Sequence, residues 1–303
     1  MKPQHIQTLV AIAEAGSIRR AAEMMGKSQP AITKALRQIE IDVGAALFRR
    51  SSRGVALTDL GKRVLARART IANEIDRMDQ EIHQLRGEMV GQVHVSLSPY
   101  AAMEIFPQAL RQFRRTYPNV QVRVSGGLFV DAQSQLREGE VDMLIGPEPA
   151  ATAQDIVVER LIDAPTGLIT SINSPFAAAT SVRDLVDAPW IMIGMPMGGE
   201  IAFHQPFQQI GVTPPEATTV SESIFGTLSL VENLGAVSMF PLRLLGLGKR
   251  GWKITQINVR ETIDSNYIAL MTKGGVPLVP ATEHLALQIR RRAEQVKRQY
   301  NQK

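Results

Sequence analysis

Short amphipathic segments punctuated by glycines crowd the amino-terminal end of this 303-residue chain, and a basic loop follows them. Ile6, Leu9, Val10 and Ala13 recur with the i, i+3, i+4, i+7 spacing that lays one apolar stripe along a helix. The stripe stops at Gly16. Ser17 is placed to cap a second helix bearing Ile18, Ala21, Ala22 and Met25, and Gly26 ends it through its tolerance of left-handed dihedrals. Ser28 caps a third helix, with Pro30 in the first turn, where a missing N–H has no partner to lose. Ile32, Leu36, Ile39 and Val43 form its inward face. At about 100° per residue, Pro30, Thr33, Lys34 and Arg37 turn outward. Leu47 to Leu57 then places two short apolar runs around a loop of Arg, Ser and Gly, which predicts a hairpin with Arg53 near its tip.

Two helices joined by a tight turn, then a third helix and a hairpin, spell an all-α winged helix-turn-helix over residues 1–58. Such domains put the start of the last helix into the major groove, where Gln matches adenine and Lys or Arg matches guanine. Ser28, Gln29, Pro30, Thr33, Lys34, Arg37, Arg50 and Arg53 are therefore the candidate contacts to double-stranded promoter DNA. A cationic hairpin tip such as Arg53 suits the negative potential of the minor groove. A polar helix face is ordinarily just a solvated one, but the charge distribution favours the DNA reading. Residues 1–60 carry 9 Lys and Arg against 5 acids and residues 61–90 carry 6 against 5. The remaining residues balance at 19 each, so the net charge of +5 sits wholly in the first 90 residues.

Thr58 caps a long helix whose Leu60, Val64, Ala68, Ile71, Ile75, Met78, Ile82 and Leu85 lie along one side. From Ala68 the steps alternate between three and four residues, a heptad seam that predicts a homodimer through a linker helix at 59–88. Residues 89–303 alternate strand and helix patterns and read as an α/β domain. Strands are expected at Val93 to Leu97, Val120 to Val124 and Val141 to Ile145, then near 166–171, 190–193, 218–220 and 235–240, with a returning strand at Tyr267 to Thr272. Arg290, Arg291 and Arg292 in the final helix read as a solvated face near Glu283 and Glu294.

The chain resembles the LysR-type transcriptional regulators. The resemblance rests on Ala11-Ile12-Ala13-Glu14-Ala15-Gly16-Ser17, Arg20-Ala21-Ala22-Glu23, Ser28-Gln29-Pro30-Ala31-Ile32-Thr33, Ile39-Glu40, Leu47-Phe48-Arg49-Arg50, Leu57-Thr58 and Gly61. It implies that the third helix reads the major groove and the hairpin the minor groove, and that dimers pair into a homotetramer that meets RNA polymerase at promoters. It further implies a two-lobed, periplasmic-binding-protein-like effector domain, with lobe I at about 89–162 and 268–303 and lobe II at about 163–267.

A small organic effector, anionic with an apolar or aromatic body, is expected between the lobes at the carboxyl ends of strands, where helix N-termini present free N–H groups. Ser98 follows a strand and opens a helix, so its hydroxyl and the amides of Tyr100 and Ala101 are the first candidates. Ser98 capping its own helix is the equally weighted plain reading. Gly127, Leu128, Phe129, Met195, Met197, Gly199, Ser223 and Phe225 follow other strands and should line the same crevice. The chain departs from many relatives at Gly127-Leu128, where they carry a hydroxyl.

No cofactor or metal is expected. The chain has no Cys, and its five His are scattered singly without ligand spacing. No P-loop or nucleophile elbow occurs, which argues against an enzyme. The start at Met1-Lys2-Pro3 leads straight into an amphipathic helix, and no run of 18 apolar residues occurs, so a cytoplasmic protein without membrane contact is expected. A cytoplasmic solute-binding protein and a nonspecific DNA-compacting protein remain as alternatives. Site-specific DNA protection separates the first from a regulator, and response to a small ligand separates the second.

Overall fold

A computed structural model describes residues 1–51, 54–126, 132–149, 151–194, 196–247 and 251–301. The first unit contains α1 (Pro3–Ala15), α2 (Ile18–Met24), α3 (Gln29–Val43), β1 (Phe48–Ser51) and β2 (Gly54–Leu57), followed by the long α4 (Asp59–Leu85). Its punctuation is chemical. Gly16 ends α1 at φ 62°, Ser17 Oγ accepts from Arg20 N, and Ser28 Oγ accepts from Ala31 N. Ile6, Leu9, Ile12, Ala21, Ala22, Ile32, Leu36, Ile39 and Leu47 form the buried core, which extends to Leu65 and Ala68 of α4. Ile12 and Leu65, absent from the expected stripes, are fully or nearly fully buried because α1 packs against both α3 and α4.

Polar groups fix how the hairpin meets the helices. Glu40 Oε1 accepts from the Leu47 and Phe48 amides at 2.8 and 3.2 Å, tying the end of α3 to the start of β1. Thr58 Oγ1 accepts from Gly61 N at 2.9 Å and lies 2.9 Å from the Ala46 carbonyl, to which it donates. The antiparallel hairpin pairs Phe48 with Leu57 and Ser51 with Gly54. Val55 N donates to Gly16 O at 3.0 Å, so the hairpin rests directly on the α1–α2 turn.

The second unit begins with β3 (Gln92–Leu97), a π turn at Ala101–Ile105, α5 (Phe106–Thr116), β4 (Gln121–Gly126), α6 (Ala132–Glu138), β5 (Met143–Pro147) and β6 (Ile156–Ala164). It continues through β7 (Thr166–Ser171), β8 (Trp190–Ile193), α7 (Pro196–Gln209), β9 (Thr219–Ser221), α8 (Ile224–Leu234), β10 (Val237–Pro241), α9 (Leu242–Leu247) and β11 (Ile254–Ile257). It ends with β12 (Asn266–Lys273) and α10 (Pro280–Asn301). The strands form two five-stranded sheets, ordered β4-β3-β5-β12-β6 and β11-β7-β10-β8-β9. In each sheet three strands run parallel, and the strands adjoining the crossings run antiparallel to their neighbours.

Strands β6 and β11 have no counterpart in the expected pattern. Alternation fails in β6, where Val157 is exposed and Leu161 and Ile162 are both buried, because a register shift against β12 inserts a residue beside Arg160. The chain changes sheet at Pro165 and again between Ile257 and Asn266, within a few residues of the expected limits at about 162 and 268. The basic run of α10 is also differently occupied. Arg290 Nε grips Glu159 of β6 at 2.8 and 3.1 Å, and Arg292 donates to the Glu104 carbonyl, while Arg291 faces solvent.

Helix α4 is more than a linker between the two units. Its carboxyl half docks on the first sheet through a polar face on which Arg77 is the hub. Arg77 reaches Asp142 at 2.9 and 3.1 Å, Glu74 at 2.9 Å, and the Gly139 and Val141 carbonyls. Arg69 pairs with Glu140, Asn73 donates to Glu138 O, and Gln84 bridges Val90 O and Ala281 N. Leu60, Ile71, Met78, Ile82 and Leu85 remain exposed in the single chain, whereas Ala68 is buried and Val64 packs on the helix-turn-helix core. Among the described residues, no helix is long and apolar enough to cross a membrane.

Gly61 decides whether α4 seats correctly, since a methyl group there would collide with the Leu47 carbonyl oxygen. Alanine in a helix gains about 1 kcal/mol over glycine, whereas overpacking against backbone costs about 1–3 kcal/mol. Gly61→Ala should therefore lower the urea midpoint of the amino-terminal unit. A raised midpoint would show that the contact yields at little cost.

Candidate nucleic-acid interface and interlobe crevice

The amino-terminal half of α3 presents one polar surface. Ser28, Gln29, Pro30, Lys34 and Arg37 are exposed, and Thr33 is half-buried because its hydroxyl donates back to Gln29 O at 2.9 Å. That bond leaves the Gln29 amide and the Lys34 and Arg37 cations free of the helix's own needs. Arg49 on β1 is exposed. Arg50 lies in β1, its side chain outside what is described, and Arg53 lies outside the described residues. Thr58 caps α4 as expected, whereas Glu40, which positions the hairpin, had no assigned contact in the sequence; an acid seven residues before a strand start gives no periodic signal.

The interlobe site is only partly assembled by the expected residues. Ser98 is 3% exposed, follows β3 directly, and its amide donates to Ile145 O at 2.8 Å. Its Oγ accepts from Ala101 N at 3.3 Å, so the Ala101 amide is spent on the cap and not free for an anion. The capping reading of Ser98 therefore holds, and its O–H remains to donate. Tyr100 and Ala101 are buried within the core. Ser223 caps α8 by accepting from Gly226 N at 3.1 Å, and Phe225, in the first turn of that helix, is 67% exposed. Gly127, Leu128, Phe129 and Met195 lie outside the described residues, and the side chain of Met197 is likewise not described. Pro196 starts α7, so Gly199 belongs to its first turn and does not precede the helix, as Pro at the first helical position loses no hydrogen bond.

A cluster that no sequence motif announced crosses the lobes. Arg243 of α9 pairs with Asp163 of β6 at 2.8 Å, lies 3.5 Å from the Tyr100 hydroxyl, and stacks 3.9 Å over the Tyr300 ring of α10. Burial pushes the Tyr100 phenol up, against the opposing pull of Arg243. One apolar cluster also runs through both sheets, joining Ile105 and Phe106 to Leu228, Phe240 and Leu244. The lobes are thus held by one buried cation and a shared apolar core.

Residues 3–62 match the family profile described as bacterial regulatory helix-turn-helix protein, lysR family, and residues 86–294 match LysR substrate binding domain. The chain belongs to the LysR family. As a LysR-type transcriptional regulator it combines a helix-turn-helix domain with an effector-binding domain of two lobes. It is 26% identical over 274 residues to the transcriptional regulator TdcA of Escherichia coli K12, covering 90% of this chain and 87% of that one. It is 29% identical over 247 residues to GalR of Pseudomonas putida, covering 79% and 62%. Crystallised CbnR superposes with a TM-score of 0.68 at 21% identity, over 97% of this chain and 99% of that one. Full-length OxyR of Pseudomonas aeruginosa gives 0.70 at 22%, over 96% and 95%. These likenesses show a shared fold.

His94 of β3 sits beneath the α4 dock in this LysR chain. Its ring meets the Glu140 carbonyl and Ser125 Oγ, and its amide donates to Asp142, the partner of Arg77. Burial lowers its pKa first; the Glu140 carbonyl, Asp142 and the Glu140 carboxylate oppose this, and Arg123 adds to it. The folded state therefore prefers neutral His94. Its contribution to stability is present above the unfolded value of 6.5 and is lost as pH falls from there through the lowered folded value. His284 shifts the same way. Urea midpoints measured from pH 7.5 to 5.5 should fall with acid, and His94→Gln should flatten that slope; an unchanged slope would remove His94 from the linkage.

Proposed function

We propose that this LysR-type regulator binds specific promoter DNA as a homo-oligomer and responds to a small organic effector held between its lobes. Residues 1–58 serve as the DNA-binding domain, 59–88 as the linker and dimerisation helix, and 89–303 as the effector domain, with β6–β7 and β11–β12 as the crossings. The exposed face formed by Gln29, Pro30, Lys34 and Arg37 carries this reading, because it places groove-reading chemistry on the outside of a fully cored helix-turn-helix. One relative of similar fold is a CbnR complexed with its target DNA, at 23% identity and a TM-score of 0.54.

The exposed stripe of Ile71, Met78, Ile82 and Leu85 supports pairing through α4, and a paired reader matches a two-fold site. Dimers pairing into tetramers, and contact with RNA polymerase, follow the family pattern. The effector is read as a small anion with an apolar or aromatic body. Ser98 supports this by its place at a strand end with an O–H left to donate, and Ser223 by its place at the start of α8. Effector binding acts through differential affinity for two arrangements of the oligomer, with altered DNA geometry as the output rather than a chemical reaction.

Capture of fragmented genomic DNA by the purified protein at near-physiological salt should enrich a few upstream sites sharing an imperfect dyad. Uniform, salt-sensitive retention would overturn sequence-specific regulation. On a captured site, Gln29→Ala with Lys34→Ala should weaken binding by about 1–3 kcal/mol per lost base contact and relax the sequence preference. Compounds suggested by the neighbouring genes then test the crevice. Ser98→Ala should weaken the effector response while basal DNA affinity stays nearly unchanged, and loss of DNA binding would assign Ser98 to folding alone.

A further inference from the structure

Consecutive residues of α9 straddle the first crossing between the lobes. Leu242 N donates at 2.9 Å to the carbonyl of Pro165, where the chain passes from β6 to β7. Arg243 then reaches back to three separate elements of the first lobe. It meets Asp163 at the end of β6 at 2.8 Å, the Tyr100 hydroxyl ahead of the π turn at 3.5 Å, and the Tyr300 ring in the last turn of α10 at 3.9 Å. We propose that Arg243 is a releasable latch, which holds the two lobes in their present arrangement and whose opening permits a second one.

The other contacts at the junction discriminate less between arrangements. The apolar cluster shared by both sheets is non-directional and permits small rotations. The second crossing, between β11 and β12, is gripped from the second lobe: Gln205 of α7 donates to Asp264 at 2.6 Å, and Glu261 accepts from Ser181 and Val182. That crossing therefore travels with the second lobe. Arg243 differs because all three of its partners belong to the first lobe. A guanidinium donates in a fixed planar fork, so turning α9 about Pro165 disturbs the three contacts together.

The latch is also weak enough to open. Asp163 is 47% exposed, so water competes for its carboxylate, whereas the Arg243 side chain is 9% exposed. Partly exposed ion pairs and cation–π contacts are each small enough for ligand binding to offset. Tyr100 supplies the route, since it lies two residues beyond Ser98. An effector at Ser98 shifts Tyr100 and with it one seat of Arg243, a step that rests on the crevice reading proposed above.

The chain has no Cys, so cysteines replacing the exposed Val157 on β6 and Ile172 after β7 can carry one spin label on each lobe. Double electron–electron resonance on the full-length protein, with labelled chain diluted in excess unlabelled chain, then reads the distance between lobes of one chain. It requires neither effector nor DNA, so its outcome does not depend on whether the crevice binds an anion. The unaltered latch should give one dominant distance. In Arg243→Met a second distance should rise to at least about a tenth of the population, about tenfold above a minor state of about 1%. Asp163→Asn and Tyr300→Ala, each removing one partner nearer the surface, should raise it by smaller steps, and Arg243→Lys, which keeps the charge, should restore part of the dominant distance. Arg290→Met breaks an equally short pair with Glu159 inside the first lobe and should leave the distances unchanged even where it lowers Tm. Unchanged distances in both Arg243→Met and Asp163→Asn, or an equal shift in Arg290→Met, would overturn the latch.

Discussion

The Arg77–Asp142 pair joins the long helix to the effector domain, and the geometry of the whole chain depends on it. A partly exposed charge pair is a weak source of net stability, because solvent screening and partial desolvation offset most of the attraction. Its value lies in register. Arg77 also reaches the Gly139 and Val141 carbonyls and Glu74, and Asp142 also accepts the His94 amide, so only one placement of α4 against the β3–β5 edge satisfies every group. Gln84 repeats the device at the end of the helix by bridging Val90 and Ala281. The helix is therefore fixed to the first lobe, while its apolar edge stays exposed.

The same division of labour recurs at the other junctions. Apolar burial supplies the driving force within each unit, and single polar side chains set the angle between units. Glu40 ties the hairpin to α3, Thr58 fixes the start of α4 on the Leu47 turn, and Arg243 pins α9 across the lobes. Each is a directional contact placed where a non-directional apolar surface alone would permit sliding.

The helix-turn-helix was legible because its signals are local. Ser17, Ser28 and Thr58 cap, Gly16 and Gly26 turn, and apolar residues recur at helical spacing within a few turns, so neighbouring residues carry the information. Most parallel strands were legible for the same reason, as short β-rich runs ended by Gly or Pro. Strand β6 was not, since its bulge breaks alternation, and β11 was not, since it is a four-residue edge strand in which only Ile257 is fully buried.

Sequence alone therefore determined the order of domains, the exposed polar face of α3, the apolar edge of α4 and the family, all of them set by contacts close along the chain. Tertiary structure alone decided that Arg77 meets Asp142, that Arg243 spans Asp163 and Tyr300, and that Arg290 meets Glu159. These partners lie 57 to 131 residues apart in the sequence. Charged and apolar side chains at such separations have no periodic signature, because their pairing follows from how two sheets cross and not from any local propensity.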